Sequence, residues 1–130
     1  MGKYIYFTEF VDENDLPDLY RLCDIFSLIS NRNIDEGEGL PLTPLEAMSC
    51  GKPILVGNED GSSEAISKKS PNGISISPSD IDSQYSFINK LFMNTDYYNE
   101  YSKNSVIVSK QKFSYRKFHE SHNKLFIKFF

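Results

Sequence analysis

A short stretch in the first half of the chain, DEGEGLPLTPLEAMSCGKPI, combines acidic residues, glycines and the start of a helical pattern. Gly37 and Gly39 permit backbone conformations that are closed to other residues, and they let a ligand approach the main chain. Free N–H groups at the start of the following helix attract anions such as a diphosphate. Glu46 within that helix, with Glu38 in the loop beside the same cleft, can accept hydrogen bonds from vicinal hydroxyls such as those of ribose. These features are typical of nucleotide binding.

The same residues also have a purely structural interpretation. Glycines commonly punctuate loops, and a glutamate near the N-terminus of a helix interacts favourably with the helix dipole. Because a loose glycine pattern is a weak signal, spacing alone favours this structural interpretation.

The composition limits the class of protein. A chain of 130 residues with 39% hydrophobic and 25% charged residues is typical of one soluble globular domain. The net charge is −4 and the lysines are scattered until the last third, so we expect no nucleic-acid partner. Apolar runs are far shorter than a membrane span, and the start, MGKYIYFTEF, lacks the apolar core of a signal peptide. A cytoplasmic location is therefore expected.

Strand and helix patterns alternate along the chain. They are predicted in the order strand KYIYFTEFV, helix NDLPDLYRLC, strand DIFSLIS, helix Thr43 to Cys50, strand KPILVG, short helix GSSEAISK and strand GISIS. Asn14 is the predicted N-cap of the first helix, Pro17 lies in its first turn, and Gly51 closes the second helix. This alternation predicts the α/β class, a parallel sheet flanked by helices. Ligands bind beyond the carboxyl ends of such strands, where the polar loop from Asn31 to Gly39 follows DIFSLIS.

The last third is predicted to be helical. The segment SPSDIDSQYSFINKLFM has Ser77 or Ser79 as a cap and an apolar face. The predicted face consists of Ile81, Tyr85, Ile88, Leu91 and Phe92. Two more helices are expected after it.

Three further features are interpreted structurally. Cys23 and Cys50 lack metal-site spacing and are expected to be buried thiols. His119 and His122 share a helix face but have no third ligand nearby, so we expect no metal. The aromatic tail is predicted to be a packing face rather than a membrane anchor, since it lacks a strongly basic opposite face. It consists of Phe113, Tyr115, Phe118, Phe126, Phe129 and Phe130.

One longer stretch, EGLPLTPLEAMSCGKPIL, resembles the signature of the retaining nucleotide-sugar glycosyltransferases of the GT-B fold, the large family-four group. In that signature two glutamates are separated by seven residues, as Glu38 and Glu46 are here. The segments YFTEFVDENDLPDLYRLCDIFSLIS upstream and GNEDGSSEAI downstream are similar to the family in the right order, and so are NGISISPSDIDSQYSFINKLF and FSYRKFHESH. The resemblance covers almost the whole chain and implies a Rossmann-like, donor-binding half of such an enzyme.

The resemblance also implies roles for individual residues. Glu46 would hold the ribose hydroxyls, and Glu38 would lie against the donor sugar near the reaction centre as the catalytic residue. The backbone of Gly39, Leu40, Pro41, Leu42 and Thr43 would line the sugar and diphosphate, and Phe10 and Val11 would sit close to the base. Phe10 and Val11 are equally suited to a core. No cofactor or metal is expected, since the nucleotide-diphosphate sugar is the substrate.

Several positions depart from the family pattern. Pro41 stands where many members have a second glycine, and Glu9 replaces a common glycine. Glu36 does not fit the two-glutamate motif, because its spacing to Glu46 is two residues too long. The largest departure is at the start, which resembles the middle of the family's C-terminal domain, without an acceptor domain before it. Residues 1–112 are thus expected to be a partial nucleotide-sugar-binding domain, and 113–130 a helix that would pack back on the missing amino-terminal domain.

These observations predict the donor-binding portion of a retaining glycosyltransferase of polysaccharide biosynthesis, which transfers a sugar to a glycan or lipid-linked acceptor through the missing domain. Half a cleft cannot align donor and acceptor, so the isolated chain is expected to be inactive. Its unpaired sheet edge and aromatic tail are expected to make it prone to self-association. The parent protein is expected in the cytoplasm, with peripheral association at the inner membrane face as an alternative. Other hypotheses are a non-catalytic nucleotide-sugar-binding subunit of a split transferase and an epimerase or phosphorylase of the GT-B fold.

Overall fold

A computed structural model describes residues 4–30 and 39–129. Glu36, Gly37 and Glu38 lie outside the described residues, so the spacing of Glu38 to Glu46 has no structural counterpart here. The elements are α1 (Leu16–Leu22), β1 (Phe26–Leu28), α2 (Thr43–Ser49), β2 (Ile54–Gly57), a 3₁₀ helix (Gly61–Ala65), β3 (Gly73–Ile76), α3 (Ile81–Met93), α4 (Thr95–Lys112) and α5 (Tyr115–Phe129).

The strands form one parallel sheet in the order β1, β2, β3. Phe26 is opposite Ile54 between the first two strands, and Ile54 is opposite Gly73 between the second and third. Helices separate the strands along the chain, as parallel crossovers require. The predicted α/β class, a Rossmann-like parallel sheet with flanking helices, is confirmed.

The central strand, β2, is buried on both faces. Ile54 and Val56 pack against α1 and α2, whereas Leu55 points to the other face and packs against α3, and none of the three is more than 1% exposed. Alternate side chains of a strand point to opposite faces, so a strand covered on both sides is continuously apolar. This explains why KPILVG could be recognised from sequence.

The strand predicted in KYIYFTEFV is wrong over its described residues, 4–11, which form no strand. Tyr6, Phe7 and Phe10 are 85%, 90% and 89% exposed. β-rich composition does not make a strand unless a neighbouring strand accepts its backbone hydrogen bonds, and no described strand pairs with this segment.

Helix starts differ from the predicted caps by one to three residues. The N-cap of α1 is Asp15 rather than Asn14, whose side chain instead donates to Asp12, while Pro17 lies in the first turn as predicted. The N-cap of α3 is Asp80 rather than Ser77 or Ser79, because its carboxylate accepts the Ser83 N–H at 3.1 Å. Asparagine, aspartate and serine can all cap a helix, so the path of the backbone decides which of them takes the N-cap position.

The predicted apolar face of α3 is partly wrong. Phe87 and Leu91 are buried against the sheet and Ile88 packs at their edge. Ile81, Tyr85 and Phe92 are exposed. The helix is therefore rotated so that positions 84, 87, 88 and 91 face inward, a spacing as helical as the predicted one.

A buried polar cluster attaches α4 to the sheet. The Ser105 hydroxyl contacts the carbonyls of Lys52 and Asn72 at 2.8 and 3.2 Å. The Asn72 amide is also satisfied, donating to the carbonyl of Ala65 at 3.0 Å and accepting from the N–H of Ser67 at 2.9 Å. Because unpaired buried polar groups are costly, these bonds fix where α4 crosses the strands.

Both cysteines are free thiols of intermediate burial, somewhat less covered than predicted. Burial raises the pKa of the Cys23 thiol, which therefore stays protonated at neutral pH and is a poor nucleophile. Gly51 follows α2 with φ of 76°, a left-handed conformation that suits glycine after a helix and matches its predicted role.

The last helix, α5, displays its apolar side chains to solvent. Phe118 and Phe126 are 60% and 61% exposed, and Arg116 pairs with Glu120 on the polar side. The predicted docking of residues 113–130 on another domain stays a prediction. In the described part of the chain, no helix combines the length and hydropathy that crossing a bilayer demands.

Gly73 provides a test of the sheet. A Cβ at this position would overlap the carbonyl oxygen of Ile54 on β2, so Gly73→Ala should force the two strands apart. We expect a loss of roughly 2–3 kcal/mol in the free energy of unfolding, measured by urea denaturation. The control is Gly39→Ala, where a Cβ meets nothing within 4 Å and the change should stay within about 0.5 kcal/mol. Equal stability of the two variants would contradict the close strand pairing.

Candidate functional site

The loops after β1 and β2 meet at the carboxyl edge of the sheet. A Cβ on Gly57, the last residue of β2, would lie 3.3 Å from the backbone of Ser30. A Cβ on Gly61 would lie 2.6 Å from the carbonyl carbon of Gly39 and 2.8 Å from the nitrogen of Leu40. The two loops therefore pack backbone against backbone, and Gly61 is needed for that approach.

The predicted donor-lining segment begins at this contact. Gly39 is exposed, and a Cβ at this position would meet nothing within 4 Å. Leu40 packs against the core and Pro41 is half-buried. Leu42 and Thr43 are exposed. The segment is thus anchored by Leu40 and by the contact of the Gly39 carbonyl with Gly61, while its last residues face solvent.

The start of α2 offers fewer free N–H groups than predicted. Pro44 has no N–H, and the N–H groups of Leu45 and Glu46 both donate to the carbonyl of Leu42, at 2.9 and 3.0 Å. Thr43 carries the remaining N–H of the first turn. Anion attraction at this helix start is therefore weaker than the sequence suggested.

Glu46 lies in the first turns of α2 and is exposed on a groove between α1 and α2. The Tyr20 hydroxyl donates to Glu46 Oε2 at 2.8 Å. Within the described residues this is the one hydrogen bond made by the carboxylate. The groove has a volume of about 530 Å³ and is lined by Glu13, Leu16, Pro17, Tyr20, Glu46, Ser49 and Cys50.

Tyr20 is a rigid partner. Its side chain is 9% exposed, and its ring packs on Phe26 of β1 with centroids 5.8 Å apart. Burial, and next the hydrogen bond to Glu46, raise the pKa of Tyr20 well above its usual value. The hydroxyl therefore stays protonated and remains a donor over the whole physiological pH range.

The charge of the groove selects the groups it can bind. Among the described residues, its lining contains the carboxylates of Glu13 and Glu46 and neither lysine nor arginine. Carboxylates accept hydrogen bonds and repel anions, so this groove suits hydroxyl donors rather than phosphates. The arrangement fits the hydroxyl-binding role predicted for Glu46.

Phe10 and Val11 are placed apart from Glu46. They line a second groove of about 400 Å³ together with Asp15, Leu19 and other residues of α1. The residues of α1 that line the two grooves lie on opposite faces of the helix, so the described structure does not bring Phe10 and Val11 to Glu46. Their contact with a base stays a prediction.

Glu9 has φ of 49°, the left-handed region that glycine adopts without strain. It is the only non-glycine residue with a positive φ in the described ranges. The sequence resemblance places a common glycine at this position, and the backbone shows why a glycine would suit it.

Two residues of the site were not predicted. Tyr20 lies in the predicted helix NDLPDLYRLC, yet a tyrosine, unlike a leucine, carries a hydroxyl that needs a partner when buried. Gly61 begins the predicted short helix GSSEAISK. No signal in the sequence links either residue to its partner, because the partners are 26 and 22 positions away.

The histidines form no metal site with other described residues. The His122 ring nitrogen Nδ1 lies 3.0 Å from the carbonyl oxygen of Phe118, and His119 Nδ1 lies 3.1 Å from the Asn123 amide. Across residues 4–30 and 39–129, no three His, Cys, Asp or Glu side chains are grouped as a metal would need.

Comparison with known proteins identifies the family. Residues 1–106 match the family model described as glycosyl transferases group 1. The chain belongs to this glycosyltransferase family, and the family assignment made from the sequence is confirmed.

Three curated relatives are enzymes of this kind. An Escherichia coli UDP-Gal:alpha-D-GlcNAc-diphosphoundecaprenol alpha-1,3-galactosyltransferase is 40% identical over 83 residues, covering 64% of this chain and 19% of the relative. A Campylobacter jejuni N,N'-diacetylbacillosaminyl-diphospho-undecaprenol alpha-1,3-N-acetylgalactosaminyltransferase is 44% identical over 54 residues, 42% of this chain and 13% of the relative. The Escherichia coli serotype-specific mannosyltransferase WbdA is 45% identical over 60 residues, 46% of this chain and 7% of the relative. The chain spans less than a fifth of each.

Gly61 tests how the site is assembled. Gly61→Ala places a methyl group against the Gly39 carbonyl, so the donor-lining segment should be displaced. We expect a loss of about 1–3 kcal/mol in unfolding free energy and faster amide hydrogen exchange at Leu40. Ser63→Ala, at an exposed position of the same 3₁₀ helix, is the control. Unchanged exchange at Leu40 in Gly61→Ala would show that the two loops do not support each other.

Proposed function

We propose that this chain is the donor-binding part of a retaining glycosyltransferase that uses a nucleotide-diphosphate sugar. One observation carries the proposal: Glu46, the second glutamate of the motif, lies on a groove between α1 and α2, and its carboxylate accepts a hydrogen bond from Tyr20. The loop that leads into α2 lies at the carboxyl edge of the sheet, where ligands of parallel sheets bind. Membership of the glycosyl transferases group 1 family supports the reaction class.

In this proposal each part of the site contacts a different part of the donor. Glu46 accepts hydrogen bonds from the ribose hydroxyls, for which its acidic groove is suited. The backbone from Gly39 to Thr43 lines the sugar and diphosphate, and Glu38 acts at the sugar near the reaction centre. The contact of Phe10 and Val11 with the base stays a prediction, because these residues line a different groove from Glu46. No metal or other cofactor takes part.

The acceptor is proposed to be a glycan or a lipid-linked sugar. Two relatives are named for acceptors that carry diphosphoundecaprenol, which favours a polyprenyl-diphosphate sugar. Because the chain spans 19% or less of the three relatives described, we place acceptor binding elsewhere in the parent enzyme and propose that the chain alone transfers no sugar. Sugar-nucleotide turnover without any acceptor would instead favour an epimerase.

The ribose contact is tested with Glu46→Ala in the full-length protein. Hydrogen bonds to a charged group contribute roughly 1.5–3 kcal/mol, so binding of the preferred nucleotide diphosphate should weaken about ten- to a hundredfold. The fold should survive, because alanine favours helices and the lost side chain is exposed. Isothermal titration calorimetry gives the affinity, and circular dichroism checks the fold.

Glu100→Ala is the matched control, since it also removes an exposed helical glutamate, on α4. It should leave the nucleotide affinity unchanged. If Glu46→Ala binds within about threefold of wild type, roughly 0.7 kcal/mol, Glu46 is only a surface carboxylate and the proposed site is wrong.

The catalytic role of Glu38 is tested by Glu38→Gln in the same protein. A group that stabilises developing charge acts mainly in the transition state, so kcat should fall at least about tenfold, roughly 1.4 kcal/mol, with the donor KM little changed. Glu36→Gln is the control, because Glu36 lies two residues away with the wrong spacing to Glu46. Steady-state kinetics decides: an increased KM with unchanged kcat would assign Glu38 to ground-state binding.

A further inference from the structure

We propose that Tyr20 is a positioning residue for the donor nucleotide: its hydroxyl holds Glu46 Oε2, so that the carboxylate faces the two ribose hydroxyls in one orientation. The inference rests on the proposed function, since it concerns the same carboxylate. It starts from the 2.8 Å hydrogen bond between the two side chains and from the groove that both of them line.

Glu46 needs such a partner because its side chain is otherwise free to move. It is exposed, and glutamate has three rotatable side-chain bonds whose freedom must be lost when it binds a ligand. The residues that line the groove in the described ranges include no lysine or arginine that would orient the carboxylate by charge. Within the described residues the Tyr20 hydroxyl is its sole hydrogen-bond partner, so the orientation depends on Tyr20.

Tyr20 is suited to this role because it cannot move. Its ring is buried in the core between α1 and β1 and contacts Phe26. The apolar ring lies in that core, and the polar hydroxyl at the end of the ring reaches the groove. The packing of the Tyr20 ring thereby restricts where the exposed Glu46 carboxylate lies.

The hydrogen bond leaves enough acceptor capacity for a ribose. An ionised carboxylate has about four lone-pair sites, and Tyr20 uses one of them. The remaining sites can accept from both vicinal hydroxyls, and the fixed orientation makes the site sensitive to whether both hydroxyls are present. The structure therefore links Tyr20 to discrimination between ribose and deoxyribose.

A purely structural role for Tyr20 makes a different prediction. The same hydrogen bond joins α1 to α2, and if it serves only to join the helices, its loss should lower stability without altering the choice of sugar. The ratio of affinities for a ribonucleotide and its 2′-deoxy analogue therefore separates the two roles, since a general loss of stability would affect both ligands equally.

The experiment uses the full-length protein and calorimetric titration with ADP, GDP, UDP and CDP, followed by the 2′-deoxy form of the tightest binder. Wild type should prefer the ribonucleotide by about tenfold, the effect of one lost hydrogen bond to a charged group. In Tyr20→Phe, which keeps the ring and its packing, the preference should fall to about threefold or less. Affinity for the ribonucleotide should fall by about three- to tenfold.

Two controls sharpen the result. Tyr97→Phe removes another phenolic hydroxyl, which donates to Tyr101 on α4 at 2.7 Å, and it should leave the preference at the wild-type value. In the Glu46→Ala background, adding Tyr20→Phe should change the affinity less than about twofold, because a positioning residue has no effect once its target is gone.

The outcomes separate this inference from the proposed function. If Glu46→Ala keeps the wild-type ribose preference, the proposed ribose contact itself is wrong. If Glu46→Ala loses the preference and Tyr20→Phe keeps it, Tyr20 only joins the helices and the inference is overturned. Independently of any variant, proton NMR of the wild-type complex should show a slowly exchanging Tyr20 hydroxyl proton, and its loss on nucleotide binding would overturn the inference as well.

Discussion

The double burial of β2 is the constraint on which the rest of the structure depends. Its side chains alternate between two packed faces, so a helical layer must cover each side of the sheet. α1 and α2 supply one layer and α3 the other, while α4 packs against both α2 and α3. The buried bonds of Ser105 and Asn72 then fix α4 against the ends of the strands. Few alternative arrangements satisfy both the apolar faces and these polar groups.

The edge at which we propose that the donor binds follows from this arrangement. Because β1 and β2 are parallel neighbours, their carboxyl ends and the loops that follow them must lie side by side. Gly61 lets those loops touch, and the packing of α1 on α2 brings Tyr20 to Glu46. The position of an exposed carboxylate is thus determined by the core beneath it, through a single buried tyrosine.

The local elements nearest the site could be predicted well. DIFSLIS, KPILVG and GISIS each contain a strand, and Thr43 begins the predicted helix, because apolar runs and Pro44 carry their signal locally. The predictions that are wrong concern features that depend on residues far away along the chain. KYIYFTEFV has strand composition but no described neighbour to pair with, and the inward face of α3 is set by the sheet rather than by its own periodicity.

The sequence by itself determined the α/β class and the glycosyltransferase family, because both depend on residue types at short, regular spacing. The tertiary structure alone decided which of the described groups surround Glu46: the Tyr20 hydroxyl is its partner, and Phe10 and Val11 line a different groove. The physical reason is that burial and hydrogen bonding depend on distances in space, and packing brings together residues whose separation along the chain carries no signal.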